Sequence, residues 1–180
     1  MRKDITLVLE KNNVKVQLKA YKEIPTDDGY HMVGNLYVNG KKAISFEDGG
    51  FGGGCDHYIL NQANAQPILD ILPQLAKIKA YPDSDLDCAY DLETMFYEMA
   101  EDFLANRDLK RQCSKKTLVK FLDREYSKGE YTVYTHKFDK PMVEHIIKEL
   151  VSTKQDSVVV FNIDKEWKEY TVNELLQNVA

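Results

Sequence analysis

Cysteine is scarce in this chain, with only Cys55, Cys88 and Cys113 among 180 residues. A small, odd number argues against a disulfide framework and leaves free thiols or metal thiolates as the readings. Long apolar runs are missing as well. Stretches such as Val158 to Phe161 fall far short of the ~20 residues a membrane helix needs. Met1-Arg2-Lys3-Asp4 leads into patterned sequence without an apolar signal region, so a cytoplasmic location with no membrane partner is expected. Positive charge is in deficit, with 24 Lys and Arg against 29 Asp and Glu and a net charge of −5. That balance disfavours a general nucleic-acid binder, and no direct sequence-specific nucleic-acid contact is expected. Enzymatic signatures are absent too: the chain carries no G-x-S-x-G elbow, no H-E-x-x-H helix and no G-x-x-x-x-G-K phosphate loop. Gly50-Phe51-Gly52 lacks the following helix of a dinucleotide fingerprint.

What is present reads as an α+β protein of ordinary globular composition, 43% hydrophobic and 29% charged. The length suits a single domain over 1–180, with 1–62 as an antiparallel sheet lobe and 63–180 as a helical and mixed lobe should it subdivide. From Ile5 to Glu47 the apolar period is two: Ile5, Leu7, Leu9; Val14, Val16, Leu18; Met32, Leu36, Val38; and Ala43, Ile44, Phe46. Four antiparallel strands in a meander follow from that pattern. Asn39-Gly40 marks a type I′ hairpin, because both residues tolerate positive φ.

Beyond Asn64 the period becomes helical, through Ile68, Leu72 and Leu75, with Pro67 in a first turn and Pro73 splitting the run. A second helix carries Cys88, Leu92, Met95, Met99 and Phe103 on one face with Phe96 beside them, a stripe best read as core. The last third predicts a ββαβα unit. Its strands are Thr117 to Leu122, Glu130 to His136 after a turn at Gly129, and Ser157 to Ile163. Asp139 and Pro141 open the first helix, and Thr171-Val172-Asn173-Glu174 is a capping box for a terminal helix through Val179.

The most pointed stretch is Asp48 to His57, D-G-G-F-G-G-G-C-D-H, where five glycines frame one aromatic and lead to a Cys-x-His pair. Glycine at that density implies turns that side chains forbid, or close approach to a ligand or partner. Cys55 and His57 are suitable zinc ligands but only half of a tetrahedral set. Cys113, among lysines and arginines that favour a thiolate, and His136 at a strand end are the residues that could complete it, with Asp56 spare. One structural zinc ion is the cofactor expected.

Tyr81 to Asn106 holds eight acids, Asp83, Asp85, Asp87, Asp91, Glu93, Glu98, Glu101 and Asp102, and no lysine or arginine. Acids at a helix start and cations beyond its end complement the helix dipole, yet these acids persist into later turns, where the dipole gives no benefit. Part of that surface is therefore expected to face a basic partner. Isolated carboxylates such as Glu144 and Glu149, and a Cys113 thiol beside His136 or His57, give no oriented catalytic set, so no catalysis is expected.

Two stretches carry a resemblance: Asn39-Gly40-Lys41-Lys42 leading to Asp48-Gly49-Gly50 and Cys55-Asp56-His57, and Leu109 to Thr117 followed by Gly129-Glu130-Tyr131. Together they resemble small proteins of phages and integrated mobile elements. The chain as a whole is similar to prophage-borne inhibitors of type II-A CRISPR systems, the anti-CRISPR proteins. The resemblance implies an acidic, non-catalytic protein that binds Cas9 or its guide-RNA complex stoichiometrically and interferes with DNA loading or cleavage. It also implies a structural metal at Cys55, His57 and Cys113. A small phage metal-dependent enzyme, or a nucleic-acid accessory protein using the basic run Arg107 to Lys120, is the alternative.

Overall fold

The computed structural model describes residues 1–127 and 130–178, so the turn expected at Gly129 and the helix end expected at Val179 lie outside the described residues. The chain divides into two compact units, 1–104 and 105–180. The expected subdivision at 62/63 does not match this boundary, because the helices that follow the first sheet pack into its core rather than into the later part of the chain.

Unit one opens with α1 (Lys3–Lys11), followed by β1 (Val16–Pro25), β2 (Tyr30–Val38), β3 (Lys41–Asp48) and β4 (Asp56–Ile59). The strands form an antiparallel meander in the order β1-β2-β3-β4, the architecture expected from the sequence. Its membership differs at the first element, since Ile5 to Leu9 is helical. Ile5, Leu7 and Leu9 satisfy a strand period, but Ile5, Val8 and Leu9 also form a helical stripe, and burial follows the stripe. Ile5 and Leu9 are buried while Leu7 is 56% exposed. Asp4 in the first turn and Lys11 in the last suit the helix dipole. The fourth strand is β4, which follows the glycine loop, is exposed along its length and occupies the sheet edge. Asn39 and Gly40 both adopt positive φ, 49° and 80°, and close the β2–β3 hairpin as expected.

Three helical segments complete the unit: α2 (Gln62–Leu69), α3 (Leu72–Leu75) and the first part of α4 (Leu92–Gln112). The split between α2 and α3 places Pro73 at the start of α3, as its missing N–H demands. Pro67 lies inside α2 instead of its first turn, because Asn61 starts that helix earlier by accepting from the Asn64 N–H. The α4 stripe of Leu92, Met95, Phe96 and Met99 is core. Phe96 stacks on Phe46 of β3 with ring centroids 4.7 Å apart. Gly34, paired with Phe46 across the sheet, makes this possible: a Cβ there would meet Phe96 at 3.0 Å and Leu18 at 2.9 Å. Cys88 does not join the stripe. Asp91 caps α4 by accepting from the Thr94 N–H at 2.8 Å, so the helix starts beyond Cys88, which is exposed.

Unit two follows with β5 (Thr117–Phe121), β6 (Thr132–Tyr134), α5 (Lys140–Thr153), β7 (Ser157–Val160), β8 (Lys168–Thr171) and α6 (Val172–Gln177). Its antiparallel sheet runs β6-β5-β7-β8. Met142, Val143, Ile146 and Leu150 of α5 bury against Val119, Phe121, Val158 and Val160. Asp139 caps α5 and Thr171 forms the expected capping box. The unit has one strand more than expected, β8, whose alternation is silent because only Tyr170 of its four residues is buried.

A polar link pins β6 to α5. Glu149 accepts from the Tyr134 hydroxyl at 2.5 Å and pairs with Arg124. Burial pushes the Glu149 carboxyl up, but the hydrogen bonds from Tyr134 and Arg124 outweigh it and hold the group below its ordinary range. A depressed folded value gives stability that is present above the unfolded value of about 4.3 and is lost as pH falls through the folded value. Glu149→Gln should therefore lower stability by about 1–2 kcal/mol near neutrality, with the difference shrinking towards about pH 3. Urea unfolding of both proteins at the two pH values checks this, and a pH-independent difference would contradict it.

Candidate functional site

The glycine loop is held at both ends by carboxylates. Asp48, at the end of β3, is buried, and its Oδ1 accepts from the Gly50 N–H at 2.8 Å while its Oδ2 accepts from the Tyr97 hydroxyl of α4 at 2.5 Å. Burial of its ring and the Asp48 contact push the Tyr97 phenol upward. At the far end, Glu93 Oε1 accepts from the Cys55 N–H at 3.1 Å. The loop is therefore held between an acceptor on β3 and one on α4, and Tyr97 of α4 fixes the first of them. Neither Asp48 nor Tyr97 stands out as a site residue in the sequence, although Asp followed two residues later by Gly is the signature of a side-chain-closed turn.

Glycine is required at Gly50 for two reasons. Its φ is 74°, and a Cβ would lie 2.6 Å from the Tyr30 carbonyl carbon and 2.8 Å from the His31 nitrogen. The Thr26 hydroxyl donates to the Gly50 carbonyl at 3.2 Å, tying the loop to the β1–β2 connection. Gly52 shares the φ of 74° but has open space around it. Between them Phe51 is 74% exposed, and Tyr30 at the same end of the sheet is 53% exposed. A fixed backbone presenting a solvated aromatic is a rigid contact element with little side-chain entropy to lose.

Gly52→Ala should cost about 1 kcal/mol, the ordinary penalty of left-handed backbone for a residue with a Cβ. Gly50→Ala adds a backbone collision and should cost at least about 2 kcal/mol. Equal losses in urea unfolding would mean that the approach to Tyr30 does not constrain the loop.

The four residues expected to hold zinc divide between the units, Cys55 and His57 in the first and Cys113 and His136 in the second. Cys55 is buried, and its thiol is pushed up to about 12 by burial and by the charges of Asp48 and Glu93. His57 is exposed on β4 opposite Phe46. Cys113 is buried against Leu118 and Phe161, and its thiol donates to the Lys110 carbonyl at 3.2 Å rather than standing open to the neighbouring cations. His136 is exposed, and its backbone carbonyl accepts from the Thr117 hydroxyl at 2.9 Å. Among the described residues no group of three or more His, Cys, Asp or Glu is placed to hold a metal ion.

The acidic segment divides by task. Asp91 caps α4, Glu93 holds Cys55, Glu98 accepts from the Tyr90 hydroxyl at 3.1 Å and from the Arg2 N–H at 3.4 Å, and Asp102 pairs with the Met1 ammonium. Asp83, Asp85, Asp87 and Glu101 are exposed, and among the described residues none of these four side chains hydrogen-bonds or pairs. Asp56 is also exposed, at the start of β4.

Comparison with protein families, curated proteins and solved structures finds no match to this chain. Its chemistry is therefore read from its own residues. No described helix is long and apolar enough to cross a membrane.

The cysteines give a direct check on this geometry. Iodoacetamide at neutral pH should modify exposed Cys88 in the native protein, whereas buried Cys55 and Cys113 should react only on unfolding. Modification of Cys55 as fast as that of Cys88 would contradict a buried, protonated thiol behind the glycine loop.

Proposed function

We propose that this chain is a stoichiometric binding protein that inhibits a Cas9-type RNA-guided nuclease by presenting the acidic surface of its first unit to a basic nucleic-acid channel. The observation that carries the reading is the set of exposed carboxylates, Asp83, Asp85, Asp87 and Glu101, that have no internal partner among the described residues. Acids already engaged in caps and clamps add little to a partner's affinity, whereas free ones steer a basic surface towards them. Channels that hold a guide–target heteroduplex are positively charged, so an acidic ligand can compete with DNA there. Phe51 supplies an apolar anchor that charge alone lacks.

A zinc ion held by some of Cys55, His57, Cys113 and His136 belongs to the same proposal as a structural element. Each thiol that binds the ion would have to lose its proton to solvent, so binding would strengthen as pH rises. Elemental analysis should find close to one equivalent in protein purified without added metal. A metal-free preparation whose melting is unchanged by added zinc removes the ion and leaves the binding reading standing.

Pull-down and cleavage assays with purified Cas9 test the function. Inhibition should saturate at equimolar protein, weaken with rising salt, and weaken at least about tenfold when Asp83, Asp87 and Glu101 are changed to lysine together. Phe51→Ala should reduce binding while leaving stability within about 0.5 kcal/mol. Absence of a complex, with full cleavage at excess protein, would refute the assignment.

A further inference from the structure

Unit two contains a cleft of about 700 Å³, lined by Val133, Tyr134, Thr135, His136, Asp139, Pro141, Met142 and His145. Its volume falls within the about 300–1,000 Å³ of small-molecule sites, and apolar and aromatic walls with a few polar groups are the usual lining of such sites. The acidic surface described above plays no part in it, since every lining residue belongs to the second unit.

We propose that this cleft between β6 and the first turns of α5 binds a planar heteroaromatic ligand bearing an exocyclic amine, of the nucleobase class. Its walls are built for a π-face. The Tyr134 ring is fixed through its hydroxyl, which donates to Glu149, and His145 meets it edge-on with centroids 5.4 Å apart and an interplanar angle of 83°. The Met142 thioether and the Pro141 ring supply further polarisable and flat apolar surface. The backbone at His136 is held by the Thr117 hydroxyl, so the second imidazole sits on a fixed main chain.

The polar groups narrow the chemistry. Among the described residues no lysine or arginine lines the cleft, which disfavours a phosphate. The start of α5 offers no anion cradle either, because Pro141 lacks an N–H and the Met142 N–H is taken by Asp139 Oδ1 at 3.1 Å. The second oxygen of Asp139 has no hydrogen bond among the described residues, and it is an acceptor that suits an amine edge. The Thr135 hydroxyl meets His136 Nδ1 at 3.5 Å, which turns His136 Nε2 outward, and that nitrogen and the His145 imidazole complement the ring nitrogens of such a base.

Carbon-edited NMR of the imidazole signals during titration with adenosine, using the full chain, tests the proposal. Adenosine should shift both His136 and His145 saturably, and inosine, which carries a carbonyl in place of the amine, should bind at least about tenfold more weakly. Asp139→Asn keeps a good helix cap, so the fold should stand while the preference for adenosine over inosine disappears. Val133→Trp should fill the cleft and abolish the shifts. Absence of saturable shifts at either imidazole, shifts confined to His31 or His57, or equal binding of adenosine and inosine would each overturn the proposal.

Discussion

The buried carboxylate of Asp48 is the constraint on which the glycine-loop end of the first unit depends. A charge removed from water must be matched by donors, and Asp48 finds them in the Tyr97 hydroxyl of α4 and the Gly50 N–H of its own loop. One side chain thereby joins the end of β3, the glycine loop and the helix packed on the sheet. Glu93, one helical turn before Tyr97, repeats the device on the Cys55 N–H at the loop's far end. With both ends held, β4 can pair with β3 as a four-residue edge strand that buries none of its side chains. The loop's glycines are then intelligible as geometry: Gly50 passes against the Tyr30 and His31 backbone where a Cβ would not fit, and Phe51 beside it projects into solvent.

The same helix sorts the acidic segment. Sequence shows eight carboxylates without a compensating cation, but it cannot show that Glu93 holds the Cys55 N–H, or that Glu98 and Asp102 face the Arg2 backbone and the Met1 ammonium. Those partners lie tens of residues away, and their pairing follows from the way α1 and α4 pack into one core. What remains exposed is a smaller charged surface than composition suggests, concentrated before and midway along α4.

Much of the fold was legible where a local rule has no competitor. Asn39-Gly40, Asp139 with Pro141, and Thr171 with Glu174 each specify backbone geometry within four residues, and each is found. Legibility fails where two periods fit the same letters, as in Ile5 to Leu9, and where an edge strand buries almost nothing, as in β4 and β8. Cys88 shows a third case: its spacing from Leu92 extends a helical stripe, but the Asp91 cap ends the helix before reaching it. The glycine loop is visible as a loop, but its ties to α4 are not, because Glu93 and Tyr97 lie 38 and 49 residues beyond the groups they hold.

Backbone hydrogen exchange at Gly50 and Cys55 tests the central claim most directly. Loop amides among glycines ordinarily exchange as fast as an open chain, but these two donate to carboxylates fixed by α4. Both should be protected in the native protein, and Asp48→Ala should release Gly50 while the core amides of β2 and β3 stay protected. Exchange of both amides at open-chain rates in the native protein would contradict a loop held by Asp48 and Glu93.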